Sequence, residues 1–196
     1  MIEQAGGAAY YDLVAERFLV PLGLTATTPS DTPILPGLAA GYVGDDNPFG
    51  LPPRTMDDAG RLLWDPAMEW TGGGLASTSR DLAVWGHALF GGTAMAETYL
   101  DRLLDGVPVS PDAPGILYGA GVAIYADTPR GPVYGHGGWI PGYVSSLRHY
   151  ADHGVTVAFQ INLEVGIADD STDLVPALVA ALAELAIGRC GGAGQP

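Results

Sequence analysis

Polar and apolar positions divide the chain into a helical opening, a long stretch without period, a second helical stretch, and a region from about 116 that alternates before a closing helix. Tyr10, Leu13, Val14, Arg17 and Phe18 recur at three- and four-residue spacing, which predicts a helix within the first twenty or so residues. Gly6-Gly7 splits it into a stub and a helix, and Pro21 to Gly23 ends it. Helical periodicity from residue 2, without a cap signal, reads as a chain entered midway. Residues 25 to 72 are rich in Pro, Gly, Asp and Thr and show little period. So long a loop is either a binding loop or surface wrapping. Thr78 with Asp81 resembles a capping box, and Leu82, Trp85 and Leu89 make the stripe of a helix ending near Gly91-Gly92. A shorter helix is expected over 95 to 104. From about 116 the period becomes two, and strands are expected at Tyr118 to Tyr125, Pro132 to His136, Tyr143 to Tyr150 and Val155 to Asn162. Asp152-His153-Gly154 turns between the last two. Leu174, Val175, Leu178, Val179, Leu182 and Leu185 predict a strongly amphipathic closing helix, with Pro176 in its first turn. Helices, an antiparallel meander and a closing helix make an α+β fold, an antiparallel sheet flanked by helices.

Composition narrows the function. The 196 residues, 47% apolar, suit one domain, expected over 1–188 with a flexible Gly-rich tail at 189–196. A net charge of −14 opposes binding to nucleic acid or to an anionic membrane. No apolar run reaches the ~20 residues of a membrane span, and the N-terminus has no signal-peptide pattern, so the chain as written reads as cytoplasmic. All eight basic residues are Arg, which excludes a lysine nucleophile or base. Cys190 is the single cysteine and reads as an incidental thiol, leaving no intrachain disulfide. No metal or cofactor is expected.

Two segments carry most of the chemistry: Gly72-Gly73-Gly74-Leu75-Ala76-Ser77-Thr78-Ser79-Arg80-Asp81-Leu82 and Tyr134-Gly135-His136-Gly137-Gly138-Trp139-Ile140-Pro141-Gly142-Tyr143. With Tyr118-Gly119-Ala120-Gly121 between them and Pro21-Leu22-Gly23-Leu24-Thr25 after the early helix, the order resembles the penicillin-recognising serine hydrolases. That family groups class C β-lactamases, DD-peptidases and related esterases, usually extracytoplasmic. The resemblance runs from about residue 2 to about residue 188 and covers the C-terminal portion of the β-lactamase/transpeptidase-like fold.

The family works through Ser-x-x-Lys, Tyr-x-Asn (or Ser-x-Asn), and Lys-Thr-Gly or its His-x-Gly variant. Only the third has a counterpart here, His136-Gly137-Gly138. The resemblance implies that His136 presents a donor to a substrate carboxylate or to the proton network. It implies that Gly137 and Gly138 let substrate lie along the strand, and that the Trp139 N–H is half of an oxyanion hole. Gly137 stands where the family usually has Thr or Ser, which removes a substrate-binding hydroxyl. A chain without Lys holds no Ser-x-x-Lys, and no Tyr-x-Asn or Ser-x-Asn occurs in it. The expectation is therefore a hydrolase fragment, inactive alone; the alternatives are a non-catalytic binding module and one half of a split hydrolase.

Other candidates carry blander readings. Ser145 and Ser146 lie on an expected strand without a Gly-x-Ser-x-Gly elbow. His149 and His153 flank a hairpin with Asp152 but lack the remaining ligands of a metal site, so they read as solvated turn residues. His87 reads as a helix-face residue. The resemblance further implies that the strand 155–162 is a bare edge, open to self-association or to an N-terminal partner chain.

Overall fold

The computed structural model of the chain describes residues 1–164 and 174–192, the last four by backbone alone. The first helices are α1 (Ile2–Gly6), α2 (Tyr10–Val14) and α3 (Val20–Leu22), with α2 and α3 joined by a π-helical segment at Ala15–Leu19. Gly7, left-handed at φ 72°, makes the expected break, and Gly23 at φ 65° makes the stop. Strand β1 (Thr28–Pro29) pairs antiparallel with β2 (Leu75–Ala76) across the long connection, and a 3-10 turn (Pro66–Glu69) runs into α4 (Trp70–Gly73). Helix α5 (Ser79–Phe90) and helix α6 (Glu97–Leu103) follow. The six-stranded antiparallel sheet is then a meander: β3 (Val107–Pro108), β4 (Ile116–Tyr118), β5 (Ala123–Tyr125), β6 (Val133–Ile140), β7 (Tyr143–Tyr150) and β8 (Val155–Ile161). Helix α7 (Leu174–Gly192) closes the chain.

Each face of the sheet is covered by one helix. On one face Trp85, Leu89 and Phe90 of α5 meet Val122, Ile124, Tyr134 and Leu147. Gly86 permits the approach, since a Cβ there would stand 2.5 Å from a Leu147 methyl carbon. On the other face Val133, Tyr150 and Val157 receive Val179, Leu182, Ala183 and Ile187 of α7. The fold class expected from the pattern is the one observed.

Several elements differ from expectation. The single strand over Tyr118 to Tyr125 is a hairpin, because the chain reverses at Gly119 to Gly121, with Gly119 N–H donating to Val122 O at 2.8 Å and Gly121 at φ 79°. The strand expected to stop at His136 continues to Ile140, where Pro141-Gly142 makes a two-residue turn. The capping box is half formed. Thr78 Oγ1 accepts the Asp81 N–H at 3.2 Å, but the Asp81 carboxylate faces the loop instead, accepting Ala26 N–H at 2.8 Å and the Thr27 hydroxyl at 3.1 Å. Helix α7 is apolar nearly all round: the stripe that includes Val179, Leu182 and Ala183 packs, while Leu174, Leu178 and Leu185 are exposed. It runs through Gly192, into the segment expected as tail.

The long segment 25–72 has its own apolar cluster. Leu35, Met56 and Leu62 are buried against Trp64 and the Tyr143 ring. Tyr143 donates to Ala39 O at 2.7 Å, Asn162 Nδ2 donates to Ala40 O at 2.8 Å, and Tyr42 N–H donates to Asn162 O at 3.0 Å. These bonds tie the segment to the turn end of β6 and β7.

Candidate functional site

Strand β6 is paired along its whole length on one side and only in part on the other. With β7 the register runs from Val133↔Tyr150 to Ile140↔Tyr143. With β5 it stops at Ala123↔Gly135. The segment from His136 to Ile140 therefore has an open edge, and His136, Gly137, Gly138 and Trp139 are all exposed. Ile140 and Tyr143 close a two-residue turn, so they form a hydrogen-bonded pair. Alternation along an antiparallel ladder then turns the N–H and C=O of Gly137 and Trp139 away from β7, toward the opening. A Cβ on Gly137 would have Ser145 O, at 3.8 Å, as its nearest neighbour, so that position leaves free space. Gly135, by contrast, admits no side chain, since a Cβ would stand 1.9 Å from Leu147 O.

His136 is held by both ring nitrogens. Nδ1 meets the carbonyl oxygen of Gly137, and Nε2 lies 2.8 Å from the Tyr118 hydroxyl. A carbonyl only accepts, so Nδ1 carries a proton; in the tautomer with that single proton, Nε2 accepts the Tyr118 O–H. The two rings stand edge to face with centroids 5.7 Å apart. Tyr118 belongs to a segment singled out in the sequence, yet as a partner of His136 it was missed. Residues 118 and 136 come together only because β4 and β5 form a hairpin and the pairing of β5 with β6 stops at Gly135.

A further aromatic closes one end of the opening. Phe49, from the long segment, packs on Trp139 with ring centroids 5.7 Å apart. Behind the site, the turn Pro141-Gly142 is braced by Glu164, whose Oε2 accepts the Gly142 N–H at 3.1 Å.

The remaining candidates are not assembled into a second site. Ser145 and Ser146 sit opposite Gly138 and Gly137 on β7. The Ser146 hydroxyl is buried without a hydrogen-bond partner among the described residues. His149 is not a solvated turn residue: it is 4% exposed, stacked on Phe90, with Nδ1 2.8 Å from Thr156 Oγ1. It lies in the sheet under α5 because its place in the period-two pattern faces inward. Burial, and secondarily the charge of His87, hold its pKa below the ordinary value. His87 is exposed on α5, its ring 6.2 Å from that of His149. Among the described residues no three His, Cys, Asp or Glu side chains are grouped to hold a metal, and no helix is long and apolar enough to cross a membrane.

The beta-lactamase family model matches residues 1–182. The chain belongs to the beta-lactamase family. Its relatives within this family of hydrolases include the D-aminopeptidase of Brucella anthropi, 27% identical over 171 residues that make up 86% of this chain and 30% of that protein. Among solved structures it resembles a D-stereospecific amidohydrolase from Streptomyces, at 30% identity and a TM-score of 0.71, over 83% of this chain and 46% of that one. It also shares the fold of a penicillin binding protein from Bacillus halodurans, at 21% identity and a TM-score of 0.68, over 92% of this chain and 51% of that one. The chain thus spans about a third of the aminopeptidase's length and about half the length of the matching structures.

Proposed function

We propose that this chain forms the substrate wall of a serine hydrolase acting on an amide, lactam or ester, and that it turns nothing over by itself. The observation that carries the reading is the open edge of β6, which begins at His136, paired with Tyr118, and along which the ladder turns the Trp139 N–H outward. A substrate backbone laid along that edge pairs, as an added strand, with the N–H of Gly137, whose carbonyl already accepts from His136. When a serine oxygen attacks the substrate carbonyl, the C=O electron pair moves onto oxygen, and the Trp139 N–H donates to the resulting oxyanion. Collapse expels the amine or alcohol, which takes up a proton, and water then releases the acid from the acyl-serine. One such oxyanion donor contributes about 3 kcal/mol to the transition state. The Ser-x-x-Lys that would supply the serine and its lysine base does not occur in these 196 residues, which contain no lysine. The D-aminopeptidase and the D-stereospecific amidohydrolase among the similar proteins support an amino-acid or peptide amide over an ester.

Two measurements test this. Intact-mass spectrometry after incubation with a fluorophosphonate, and separately with benzylpenicillin, is expected to show an unmodified chain. A stoichiometric adduct would overturn the inactivity, and peptide mapping would start at Ser145 and Ser146. Amide NMR with alanine amide is expected to move the resonances of Gly137, Gly138 and Trp139. Unmoved signals there, beside shifts elsewhere, would sink the wall reading.

A second reading, a module that binds a partner chain, is supported by β8. It is the last strand of the sheet and pairs only with β7 among the described residues, apart from the Tyr42 contacts beyond its end at Asn162 and Glu164. Leu174 and Leu185 of α7 are 52% and 59% exposed. An apolar helix face and an open strand edge together invite an N-terminal partner segment or a second copy. Light scattering across a concentration series is expected to show self-association; a monomer at every concentration counts against it.

A further inference from the structure

We propose that Phe49 and Trp139 form a subsite for a flat, apolar side chain on the acyl part of the substrate, the preferred ligand being an aromatic amino-acid amide with a free ammonium group. This rests on the β6-edge reading above and adds a specificity to it. Phe49 and Trp139 come from distant parts of the chain and pack at 5.7 Å with planes 32° apart, yet remain 53% and 44% exposed. A contact made only for stability would bury more of both rings.

The platform is built in advance of any ligand. Asn47 locks the loop tip, its Nδ2 donating to Gly44 O and Leu51 O at 2.8 Å each, while its Oδ1 accepts the Leu51 N–H at 3.0 Å. Phe49 is therefore held before binding, which lowers the entropic cost of using it. Gly137 lies two residues from Trp139 on the same face of β6, and a Cβ there would meet nothing nearer than Ser145 O at 3.8 Å. A carbonyl held by the Trp139 N–H has its α-substituent within reach of that platform. Charge restricts the ligand further. Asp45 and Asp46, both exposed, belong to the same loop, and the chain carries a net charge of −14. A cationic or neutral ligand is favoured over an anionic one.

Amide and indole NMR titrations of the full chain with phenylalanine amide and with alanine amide test the subsite. Phenylalanine amide is expected to move the Trp139 indole N–H and to bind about tenfold more tightly than alanine amide. Phe49→Ala is expected to bring that ratio close to one, and Phe49→Leu to leave it in between. Unchanged β7 and β8 amides verify that both variants are folded. Equal affinities with shifts at the Gly137 and Trp139 backbone overturn the subsite and leave the wall standing. Absence of shifts at β6 with either probe overturns both.

Discussion

The Tyr118 hydroxyl donates to Nε2 of His136 across 2.8 Å, over the gap left where β5 stops pairing with β6. With Nδ1 turned to the Gly137 carbonyl, the bond selects one tautomer of the imidazole and one orientation of the ring. Both ring nitrogens of His136 are thus engaged within the chain.

Removal of that bond is the first prediction. Tyr118→Phe is expected to shift the Nε2 nitrogen resonance of His136 toward that of a free imidazole acceptor, with Nδ1 still protonated. Loss of stability should be about 1 kcal/mol, as for one exposed neutral hydrogen bond. Nitrogen-detected histidine spectra read the tautomer directly, and an unchanged Nε2 resonance refutes the contact.

His149 predicts acid sensitivity. Burial disfavours its charged form, so its folded pKa lies below the unfolded value of 6.5. The unfolded chain then binds more protons as the pH falls below about 6.5, and stability declines from there until the folded pKa is passed. Above 6.5 this contribution is present in full. Melting temperature measured between pH 8 and 5 should fall on the acid side, and His149→Leu should flatten that part of the slope even if it lowers stability throughout.

Asp81 predicts a different kind of loss. Its carboxylate is 2% exposed and accepts from both Ala26 and Thr27, pinning the start of α5 to the loop after α3. Asp81→Ala strands both donors and should cost on the order of 3 kcal/mol, whereas Asp81→Asn keeps an acceptor oxygen and should cost less. Denaturant midpoints with unchanged slopes would establish this; equal effects of the two variants would not fit.

Gly142 is constrained twice. Its φ is 85°, and a Cβ would stand 2.8 Å from Tyr42 N and 2.9 Å from the Gly41 backbone. Gly142→Ala should destabilise by about 2 kcal/mol and displace the turn that carries Trp139. Thermal unfolding together with the Trp139 indole resonance tests both parts; a variant as stable as the parent would contradict the packing described for this turn.

Much of the architecture was legible along the chain. The alternation from Tyr143 to Tyr150 and from Val155 onward marks β7 and β8 almost to the residue, and the Leu82, Trp85 and Leu89 stripe marks α5. Both rest on local periodicity, which a sequence displays openly. Four ordered motifs pointed to the family, and His136 to Trp139 proved to lie together on one exposed strand segment. The Gly119 to Gly121 reversal was misread because alternation continues through it on both sides, and only pairing distinguishes one strand from two short ones.

What folding alone decided are the meetings between distant segments. Tyr118 reaches His136 through a hairpin, Phe49 reaches Trp139 from a segment with no period, and the Asp81 carboxylate leaves its own helix for a loop. His149 became a core residue, rather than a turn residue, because α5 lies over its face of the sheet. The order of residues determined the strands, the helices and the family, since each follows from neighbours a few positions apart. The open edge of β6 and the groups that face it depend on where β5 ends and how the long segment docks, which long-range packing sets.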